Sequence, residues 1–346
     1  MTGTILATGG AGYIGSHVVL ELLNAGYEVV AFDNFDNSSP KALGRVARLT
    51  NRAATLVEGD IRDADALDRL FADHAFDAVV HLAGLKAVGE SVSRPELYYD
   101  VNVTGGLKLY SAMLSHGVKR MVFSSSATVY GVSDDKPIDE ATPTAPINPY
   151  GTTKLMSEQM LTDLARANPD FAAISLRYFN PVGAHPSGEI GEDPADIPNN
   201  LFPFIAQVAA GRRAQLDIFG DDYDTPDGTG VRDYIHVVDL ARGHVRAIDY
   251  LLSEKAPLGE NQKINLGAGV GYSVKQALEA FAEAVGRALP HRVVDRRDGD
   301  LAMYFAQADL ARDVLGWQAE KSLADMCRDH WNWQSRNPFG YGPPDE

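Results

Sequence analysis

The sequence TILATGGAGYIGSH, residues Thr4–His17, decides the fold. Its beginning, Thr4–Thr8, is a short apolar run typical of a buried strand, and the apolar pattern after the glycines indicates a helix. Gly9, Gly12 and Gly15 are spaced as G-x-x-G-x-x-G between these two elements. Glycines at these positions allow a tight turn, a close approach of the backbone to a pyrophosphate and close packing of the helix on the strand. The stretch therefore predicts a strand, a turn and a helix whose N-terminus binds the phosphates of a dinucleotide.

Strands and helices alternate outward from this stretch as far as about residue 180. The apolar runs predict further strands at Glu28–Phe32, Thr55–Val57, Asp77–His81, Arg120–Ser124 and Ala172–Leu176. Helix-length amphipathic patterns lie between them, notably at Gly12–Ala25, Pro95–His116 and Pro149–Ala167. Several strands lack the alternation of a half-exposed strand, as expected for a sheet that helices cover on both faces. The pattern predicts an α/β fold with a Rossmann-type doubly wound parallel sheet.

The pattern changes after about residue 180. Two segments, Asn180–Asn200 and Asp221–Gly230, are rich in proline, glycine and acidic residues and show no periodicity. The elements predicted around them are a helix near Leu201–Ala210, strands near Leu216–Phe219, Arg232–Val237 and Lys263–Leu266, a helix capped by Asp239, a helix from the N-cap Ser273 through Gly286, and a last helix at Ser322–Trp333. We therefore expect residues 1–180 to form a dinucleotide-binding Rossmann domain, to which a segment at about 231–265 returns. Residues 181–346 are expected to form mainly a smaller, mixed α/β C-terminal substrate-binding domain.

The composition excludes several classes of protein. The formal net charge of −16 repels polyphosphate backbones, so no nucleic-acid partner is expected. The single cysteine, Cys327, excludes an internal disulfide, and its place in an amphipathic helix favours a packing role. The nine histidines show no H-E-x-x-H spacing, so no metal site is predicted, and His185 is interpreted as a loop residue. Apolar runs fall short of the roughly 20 residues of a membrane span and the first residues lack a signal pattern, so a cytoplasmic protein without a membrane partner is expected.

Asp33 stands at the end of the second predicted strand. A carboxylate at this place accepts hydrogen bonds from a ribose 2′-hydroxyl and repels a 2′-phosphate. Together with the glycine pattern, this acid predicts that the dinucleotide is NAD rather than NADP.

Two further motifs carry chemistry. Tyr150-Gly-Thr-Thr-Lys154 opens the helix predicted after Pro149, and residues four apart share one helix face. A lysine ammonium favours a nearby phenolate, and so does a positively charged nicotinamide ring. We therefore expect Lys154 and the cofactor to lower the pKa of Tyr150 and make it a usable base. Such a pair is frequent by chance and alone fits an ordinary exposed helix. However, Phe123–Gly131 (FSSSATVYG) follows the fifth strand, at the carboxyl edge of the sheet where ligands bind, and the motifs together favour a catalytic site.

With these motifs in this order, the chain resembles the extended short-chain dehydrogenase/reductase superfamily, and within it the 4-epimerases that interconvert UDP-glucose and UDP-galactose. The resemblance runs nearly end to end and is carried by TGGAGYIGSH (Thr8–His17), VEGDIRD (Val57–Asp63), HLAGLKAVGESV (His81–Val92), FSSSATVYG (Phe123–Gly131), NPYGTTK (Asn148–Lys154), LRYFNPVGAHPSGEIGEDP (Leu176–Pro194), IPNNL (Ile197–Leu201), GTGVRDYIHV (Gly228–Val237), INLGAGVG (Ile264–Gly271) and RRDGDLAMYFA (Arg296–Ala306). It implies an isomerase of galactose metabolism that epimerises the sugar at C4 through a 4-keto intermediate, with transient reduction of bound NAD. It also implies a homodimer, for which the helices at Pro95–His116 and Pro149–Ala167 are the candidate interface.

The resemblance implies roles for individual positions. Tyr150 would be the catalytic base, Lys154 its electrostatic partner and ribose anchor, and Ser126 the hydroxyl beside the 4-OH of the sugar. The implied cofactor-binding residues are Gly9, Gly12, Tyr13, Ile14, Gly15, Asp33, Asn34, Asn37, Ser38, Asp60, Ile61, Leu82, Ala83, Gly84, Lys86, Asn102, Ser124, Tyr150, Lys154 and Tyr178. The implied substrate-binding residues are Lys86, Ser126, Tyr150, Asn180, Asn199, Asn200, Leu201, Leu216, Asp217, Ile218, Phe219, Arg232, Arg297, Asp300 and Tyr304. A bulky residue at the position of Tyr304 implies a preference for UDP-glucose and UDP-galactose over their N-acetyl forms.

Alternatives stay open at this point. A 4,6-dehydratase or decarboxylase of the same fold is the nearest, and dehydratases carry a further acid/base pair, Asp-Glu, directly after the loop hydroxyl. Here those positions are Ala127 and Thr128, which disfavours elimination. A catalytically inactive NAD-binding regulator would lack Tyr150, Lys154 or Ser126, and all three are present. Epimerisation at another carbon is also open, although the C-terminal matches argue against it.

Overall fold

The computed structural model describes residues 3–131, 137–194, 198, 200–297 and 300–342. The strands are β1 (Thr4–Thr8), β2 (Glu28–Asp33), β3 (Thr55–Glu58), β4 (Ala78–His81), β5 (Arg120–Ser126), β6 (Ala172–Tyr178), β7 (Asn180–Val182), β8 (Leu216–Phe219), β9 (Val231–His236), β10 (Glu260–Leu266), β11 (Gly271–Ser273), β12 (His291–Val294) and β13 (Met303–Tyr304). The α-helices are α1 (Tyr13–Asn24), α2 (Pro40–Thr50), α3 (Ala64–Asp73), α4 (Val88–Ser93), α5 (Pro95–Tyr98), α6 (Gly106–Ser115), α7 (Pro149–Ala167), α8 (Leu201–Ala209), α9 (Val237–Leu251), α10 (Val274–Val285), α11 (Asp309–Leu315) and α12 (Leu323–Arg336). A π-helical segment, Tyr99–Gly105, joins α5 to α6, and a 3-10 turn, Ala127–Val129, follows β5.

Seven of the described strands form one parallel sheet in the order β10-β6-β5-β4-β1-β2-β3. The strand order reverses between β1 and β4, the place where open parallel sheets bind ligands. Alternate residues of β1 enter different cores, because Ile5 and Ala7 pack in one cluster and Leu6 in another. Since both faces of the central strands are buried, β1, β2 and β4 are largely apolar runs, and the predicted Rossmann-type doubly wound fold is confirmed.

Helices cover both faces of this sheet. On one face α1 packs against α2 and α9, and on the other α3 packs against α6. Val18, Leu22 and Ile248 are fully buried in the core that α1 and α9 share with the sheet. Burial of each such side chain contributes about 1.5–3 kcal/mol, so the apolar stripes of these helices hold them on the sheet.

β9 is the centre of the smaller part of the molecule. It pairs with β7, β11 and β13, while β8 pairs with β12 in a separate two-stranded parallel sheet. α12 packs against α8 and α10 around a core that contains Phe202, Phe281 and the fully buried Cys327. Cys327 thus has the packing environment expected for it. Within the described ranges, no helix combines the length and apolar character needed to cross a membrane.

After β9 the chain returns to the large sheet. α9 packs on α1, and β10 pairs in parallel with β6, from Glu260 opposite Ala172 to Leu266 opposite Tyr178. Of the segment predicted to return, α9 and β10 therefore lie with the large sheet, and β9 lies with the smaller one. Where one domain ends and the other begins stays a prediction.

The structure corrects the predicted cap of α9. The sequence predicts Asp239 as the N-cap, but the helix begins at Val237 and His236 caps it, with Nδ1 accepting the Val238 N–H at 3.1 Å. Asp239 lies in the first turn, and its carboxylate accepts the N–H groups of Glu320 and Lys321 at 3.0 and 2.8 Å. The prediction was wrong because this carboxylate has a long-range partner that no local pattern reveals.

Two smaller differences concern elements near the site. The stretch Pro95–His116, predicted as one helix, contains the π-helical segment between α5 and α6. The segment Asn180–Asn200, predicted without regular structure, begins with β7, which pairs with β9. In both places the added structure depends on tertiary neighbours rather than on local periodicity.

Candidate active site

The glycine turn forms a cradle that no side chain could enter. Gly9 has a φ of +71°, and a Cβ on it would lie 2.7 Å from the backbone nitrogen of Ala83. A Cβ on Gly15 would lie 2.0 Å from the carbonyl oxygen of Gly9, so α1 packs directly on the turn. Gly12 is the N-cap of α1, makes no side-chain cap, and no acidic residue stands in the first turn. The N–H groups and positive dipole end of α1 therefore suit the pyrophosphate of a dinucleotide.

Asp33 lies beside this cradle at the end of β2 and is almost fully buried. Its Oδ2 accepts the Ala11 N–H at 2.9 Å, and its Oδ1 accepts the Phe35 N–H at 3.0 Å and the Ser38 hydroxyl at 2.7 Å. Phe35 has a φ of +59°, a left-handed conformation that is unfavourable for a bulky residue. The loop is therefore shaped around this carboxylate, whose remaining lone pairs can accept a ribose hydroxyl and whose charge repels a phosphate.

The adenosine side continues with Asn34 and Asp60. Asn34 Nδ2 donates to Asp60 Oδ2 at 3.1 Å, and Arg62 Nη2 donates to the same oxygen at 2.7 Å. The hydrogen bonds from Arg62 hold the pKa of Asp60 at about 2. Ile61 is buried behind Asp60, and Asn37 lies in the loop with Ser38. Of these predicted cofactor residues, the structure brings Asn34 and Asp60 into contact.

The loop after β4 closes the other side of the cradle. Gly84 has a φ of +153°, and a Cβ on it would lie 2.9 Å from Asn102 Oδ1. Asn102 Oδ1 accepts the Leu85 N–H at 2.8 Å, and its Nδ2 donates to Leu85 O and to Thr153 Oγ1, both at 3.0 Å. Asn102 thus joins this loop to α7 from inside the π-helical segment. The other predicted cofactor residues of this region are Tyr13 and Ile14 at the start of α1, Leu82, Ala83 and Lys86 after β4, and Ser124 and Tyr178 near the ends of β5 and β6.

The predicted catalytic residues lie where α7 meets β5. Asn148 caps α7, with Oδ1 accepting the Gly151 N–H at 2.8 Å, so Tyr150 and Lys154 lie in the first turns on one helix face. Lys154 is buried; its Nζ donates to Ser124 O at 2.7 Å and lies 5.8 Å from the ring centroid of Tyr150. Ser126 Oγ accepts the N–H and hydroxyl of Thr128 at 3.2 and 2.9 Å. The structure therefore places the predicted serine, tyrosine and lysine side by side.

Burial has the largest effect on the pKa values of Tyr150 and Lys154. Burial raises the pKa of Tyr150 above its ordinary value, and a hydrogen bond with Ser126 acts in the opposite direction. Burial lowers the pKa of Lys154 to about 8, and the negative charge of Glu158 opposes that effect. Desolvation of the phenolate thus outweighs the hydrogen bond with Ser126. The lowering of the Tyr150 pKa expected from Lys154 and from a nicotinamide ring stays a prediction.

On the opposite side, the smaller part contributes arginines and an aromatic platform. Arg232 on β9 donates to Leu301 O at 2.8 Å through Nη1 and forms an ion pair with Asp300. The Arg297 guanidinium lies 3.7 Å from the ring centroid of Phe219 at the end of β8. Guanidinium groups and a ring face are the kinds of group that bind a nucleoside diphosphate.

Other predicted substrate residues have different surroundings. Leu216 and Ile218 are buried in the core behind β8, and Asp217 pairs with Arg292 at 2.7 Å on the surface. Asn180 Nδ2 donates to Asp233 O at 2.8 Å, and Asn200 and Leu201 begin α8. The Tyr304 hydroxyl donates to Ala127 O at 2.5 Å, next to Ser126. Asn199 lies outside the described residues.

The sequence missed Glu192, which joins the two sides of the site. This carboxylate is buried, and its Oε1 accepts Lys86 Nζ at 2.9 Å and Asn200 Nδ2 at 3.3 Å. No spacing links these positions, so no sequence signal was available. The sequence also missed Glu158, although its position four residues after Lys154 places it on the same helix face.

The glycine cradle, the buried acid at the end of β2 and the serine, tyrosine and lysine at the sheet edge define a nicotinamide-dinucleotide enzyme of the Rossmann class. Over residues 5–267 the chain matches the sequence profile of the NAD dependent epimerase/dehydratase family. The chain therefore belongs to the NAD dependent epimerase/dehydratase family, as the resemblance predicted.

Individual relatives give the same result. The chain is 55% identical to the UDP-glucose 4-epimerase of Bacillus subtilis, covering 97% of this chain and 98% of that one. It is 54% identical to the UDP-glucose 4-epimerase of Homo sapiens, covering 99% of both. The crystal structure of the Bifidobacterium longum UDP-glucose 4-epimerase in complex with NAD+ and UDP superimposes with a TM-score of 0.92 at 51% identity, covering 97% of this chain and 99% of that one.

Proposed function

We propose that this chain interconverts UDP-glucose and UDP-galactose by epimerisation at C4 through a 4-keto sugar, with NAD as its bound cofactor. The observation that carries the proposal is the contact of α7 with the end of β5, which puts Ser126, Tyr150 and Lys154 beside the glycine cradle. The relatives named UDP-glucose 4-epimerase, which align with nearly the whole chain, support the same reaction. The chain is accordingly an isomerase.

When bound, NAD supplies the acceptor and donor of the hydride at C4. Tyr150 takes the proton of the 4-hydroxyl and later returns it, and Ser126 holds the sugar oxygen within reach of the phenol. Lys154, fixed to Ser124 O, is protonated at neutral pH because its pKa is about 8, and its charge stabilises the phenolate. Because the proton and the hydride both return to the sugar, the reaction consumes no cofactor.

The arginines of the smaller part anchor the substrate at its nucleotide end. Arg232 and Arg297 supply positive charge for the diphosphate, and Phe219 offers a ring face beside Arg297. Inversion at C4 requires the sugar to present both faces to the same hydride position, so the hexose must be able to turn. Strong contacts at the UDP end together with few at the hexose satisfy this requirement.

Tyr304 limits which hexose fits. Its hydroxyl is tied to Ala127 O and its ring lies 5.7 Å from that of Phe179, so the bulky side chain cannot easily move aside. We infer a preference for UDP-glucose and UDP-galactose over their 2-acetamido forms.

Elimination of water is disfavoured by the residues after Ser126. Ala127 has no proton to exchange, and the Thr128 hydroxyl is engaged with Ser126 Oγ at 2.9 Å. The nearest alternative, a dehydratase on the same fold, requires an acid/base pair at these two positions. Its chemistry therefore lacks the groups it needs there.

We infer that the chain acts as a homodimer through the helices predicted for that purpose. Four large apolar side chains are exposed on these elements: Val92 on α4, Tyr99 in the π-helical segment, Leu107 on α6 and Met156 on α7. These elements pack against one another, so their exposed apolar side chains can form one surface for a second copy. Light scattering with Leu107→Asp as the disrupting variant tests this.

We propose the cytoplasm as the compartment of this protein. Its buried Cys327 is a free thiol, so the described fold relies on no disulfide and suits a reducing compartment.

The decisive experiment measures bound cofactor and turnover in the purified protein. Mass and absorbance spectra should detect NAD, and UDP-galactose should be converted to UDP-glucose with no net change in the cofactor. Tyr150→Phe should lower kcat by about 100-fold or more, because general acid–base catalysis contributes about that much. Tyr250→Phe on α9 is the matched control. Absence of epimerisation by the wild-type chain with NAD restored contradicts the proposal.

A further inference from the structure

The helix that carries the catalytic tyrosine is tied to successive serines at the end of β5. Lys154 Nζ donates to the carbonyl oxygen of Ser124 at 2.7 Å. One helical turn further on, Glu158 Oε1 accepts the hydroxyl of Ser125 at 2.6 Å. Both contacts lie in the interior, because Lys154, Ser125 and Glu158 are all buried. The register of α7 against β5 is therefore fixed at two adjacent residues of the strand.

The next residue of the strand is Ser126, and the preceding position on the same helix face is Tyr150. Three residues of α7, each four positions after the last, contact the end of β5. Tyr150 contacts Ser126, Lys154 contacts Ser124, and Glu158 contacts Ser125. Since Ser126 and Tyr150 must share the substrate hydroxyl, a small slip of α7 along β5 would separate them. Catalysis depends on this register more strongly than binding does.

Glu158 also reaches the neighbouring strand. Arg177 on β6 donates to Glu158 through Nε at 2.9 Å and Nη2 at 2.6 Å, a bidentate pair with both side chains buried. The guanidinium lies 4.7 Å from the ring centroid of Tyr130. A buried ion pair adds little net stability over apolar packing, but its geometry is specific. Its presence under the active site is therefore better explained by orientation than by stability.

We propose that Glu158 is a positioning residue of the epimerase reaction: held by Ser125 and Arg177, its carboxylate sets the register of α7 that places Tyr150 beside Ser126. The proposal rests on the proposed function for the reaction it serves. Glu158 itself touches neither of the groups that exchange protons with the sugar. It acts through the helix and through the charge it presents one turn from Lys154.

The charge of Glu158 gives the proposal a pH signature. The titratable and charged groups that face Lys154 or Glu158 are Tyr150, His81, Arg177 and Lys263. Burial holds the pKa of His81 at about 3, so that ring is neutral. Arg177 is a cation paired with Glu158, and burial lowers the pKa of Lys263. Glu158 is thus the anion of this group, and it opposes the desolvation that lowers the pKa of Lys154. Removing its charge should lower that pKa further and remove the ammonium at a lower pH.

The first test removes the hydrogen bond between Ser125 and Glu158 without leaving an unpaired buried charge. Ser125→Ala deletes the hydroxyl that donates a hydrogen bond to Glu158 and leaves the ion pair of Glu158 with Arg177 intact. We expect kcat for UDP-galactose to fall roughly 10-fold, with KM changed by less than about two-fold, because the reacting groups are displaced but the UDP contacts are not. Ser157→Ala is the matched control, since Ser157 is equally buried on α7 but donates to Thr153 O of the same helix. Equal kcat in the two variants would overturn the proposal.

The second test separates charge from geometry at Glu158. Glu158→Gln keeps the shape and loses the charge, so kcat should fall roughly 10- to 100-fold and the alkaline limb of its pH profile should move to lower pH. Glu158→Asp keeps the charge but is too short for both partners, so kcat should fall while the limb stays in place. If Glu158 only stabilised the fold, both variants would yield less folded protein, and the alkaline limb of the pH profile of kcat would stay at the wild-type pH in both. That outcome contradicts the proposal.

A third measurement needs no turnover. The ionisation of Tyr150 can be followed by the ultraviolet difference between each holoenzyme variant and the same variant carrying Tyr150→Phe. Because the hydrogen bond with Ser126 lowers the Tyr150 pKa, displacement of α7 should raise it in Ser125→Ala and Glu158→Gln but not in Ser157→Ala. An unchanged titration in all three overturns the proposal. Failure of the proposed function appears separately, as a wild-type chain that does not convert UDP-galactose.

Discussion

The two sides of the site are built in different ways. The part of the predicted cofactor side that faces the phosphates and the ribose lies within residues 9–38, close in sequence. Its geometry is set by glycine contacts and by hydrogen bonds from backbone N–H groups to the buried Asp33. The predicted substrate side takes Phe219, Arg232 and Arg297 from distant segments, and its contacts involve partly exposed charges. The difference shows that steric fit and buried hydrogen bonds fix one side, whereas the other depends on long-range pairs that salt and solvent weaken.

The largest effect should come from the cofactor side. Gly15→Ala puts a methyl group 2.0 Å from the Gly9 carbonyl, so α1 must move off the turn. We expect loss of bound NAD and of activity, and a fall in the free energy of unfolding of more than about 2 kcal/mol. Mass spectrometry and denaturant titration measure both quantities.

The control for this change is another glycine in a helix. Gly44 in α2 has no atom within 4 Å of the position of an added Cβ, so Gly44→Ala should raise stability by about 0.5–1 kcal/mol and leave bound NAD unchanged. Equal NAD retention by the two variants would show that the cradle is not sterically limited.

The second-largest effect is expected for Arg232, on the predicted substrate side. Arg232→Met removes the guanidinium but keeps an apolar stem, so the charged hydrogen bond proposed for the diphosphate would be lost. We expect KM for UDP-galactose to rise roughly 10- to 100-fold while bound NAD is retained. Steady-state kinetics at two salt concentrations measures the change, which high salt should reduce. Loss of NAD together with substrate affinity would mean that the two sides are not separable.

The buried His330 should affect how the stability of the protein depends on pH. His330 packs between Phe202 and Phe281, with neither ring nitrogen hydrogen-bonded in the part of the chain that the structure describes, and burial lowers its pKa to about 4. The fold favours the neutral ring, so this contribution to stability is present above about pH 6.5 and is lost as the pH falls towards 4. His330→Leu should reduce the loss of unfolding free energy between pH 6.5 and 5 by about 2 kcal/mol. The exposed His291→Leu should leave that loss unchanged in denaturant titrations at the two pH values.

The smallest effect is expected for a surface ion pair of the substrate side. Arg292 and Asp217 lie 2.7 Å apart, but their side chains are 60% and 34% exposed. Arg292→Gln should change stability by less than about 0.5 kcal/mol and kcat/KM by less than about two-fold. A larger change in kcat/KM, measured at physiological salt, would place Asp217 among the residues that bind substrate.

The same contrast explains what the sequence could predict. The strand at residues 4–8, the helix at residues 149–167 and the strand at residues 216–219 have the predicted bounds, because apolar period, proline and capping residues are local signals. The glycine cradle, Asp33 and the Tyr150–Lys154 pair were found for the same reason. Long-range partners gave no such signal: Asp239 accepts N–H groups about 80 residues away, and Glu192 gathers Lys86 and Asn200.

Protonation was the other quantity that the sequence could not supply. A Tyr-x-x-x-Lys spacing shows that two side chains share a face, but not how much water reaches them. Burial raises the pKa of Tyr150 and lowers that of Lys154, and only the packing of α7 on β5 reveals that. Glu158 could have been noticed from its spacing, but its partners Ser125 and Arg177 lie on two other elements.

The pairing of β10 with β6 has a consequence for how the chain is made. β6 (Ala172–Tyr178) is buried at every position, and its outer edge is covered only when Glu260–Leu266 pairs with it. A ribosome that has made the first two hundred residues therefore carries an apolar strand with one row of backbone N–H and C=O groups unpaired. Such an edge readily joins other chains. Truncation products ending before residue 260 should accumulate as aggregates, and the nascent chain should depend on chaperones until its tenth strand emerges.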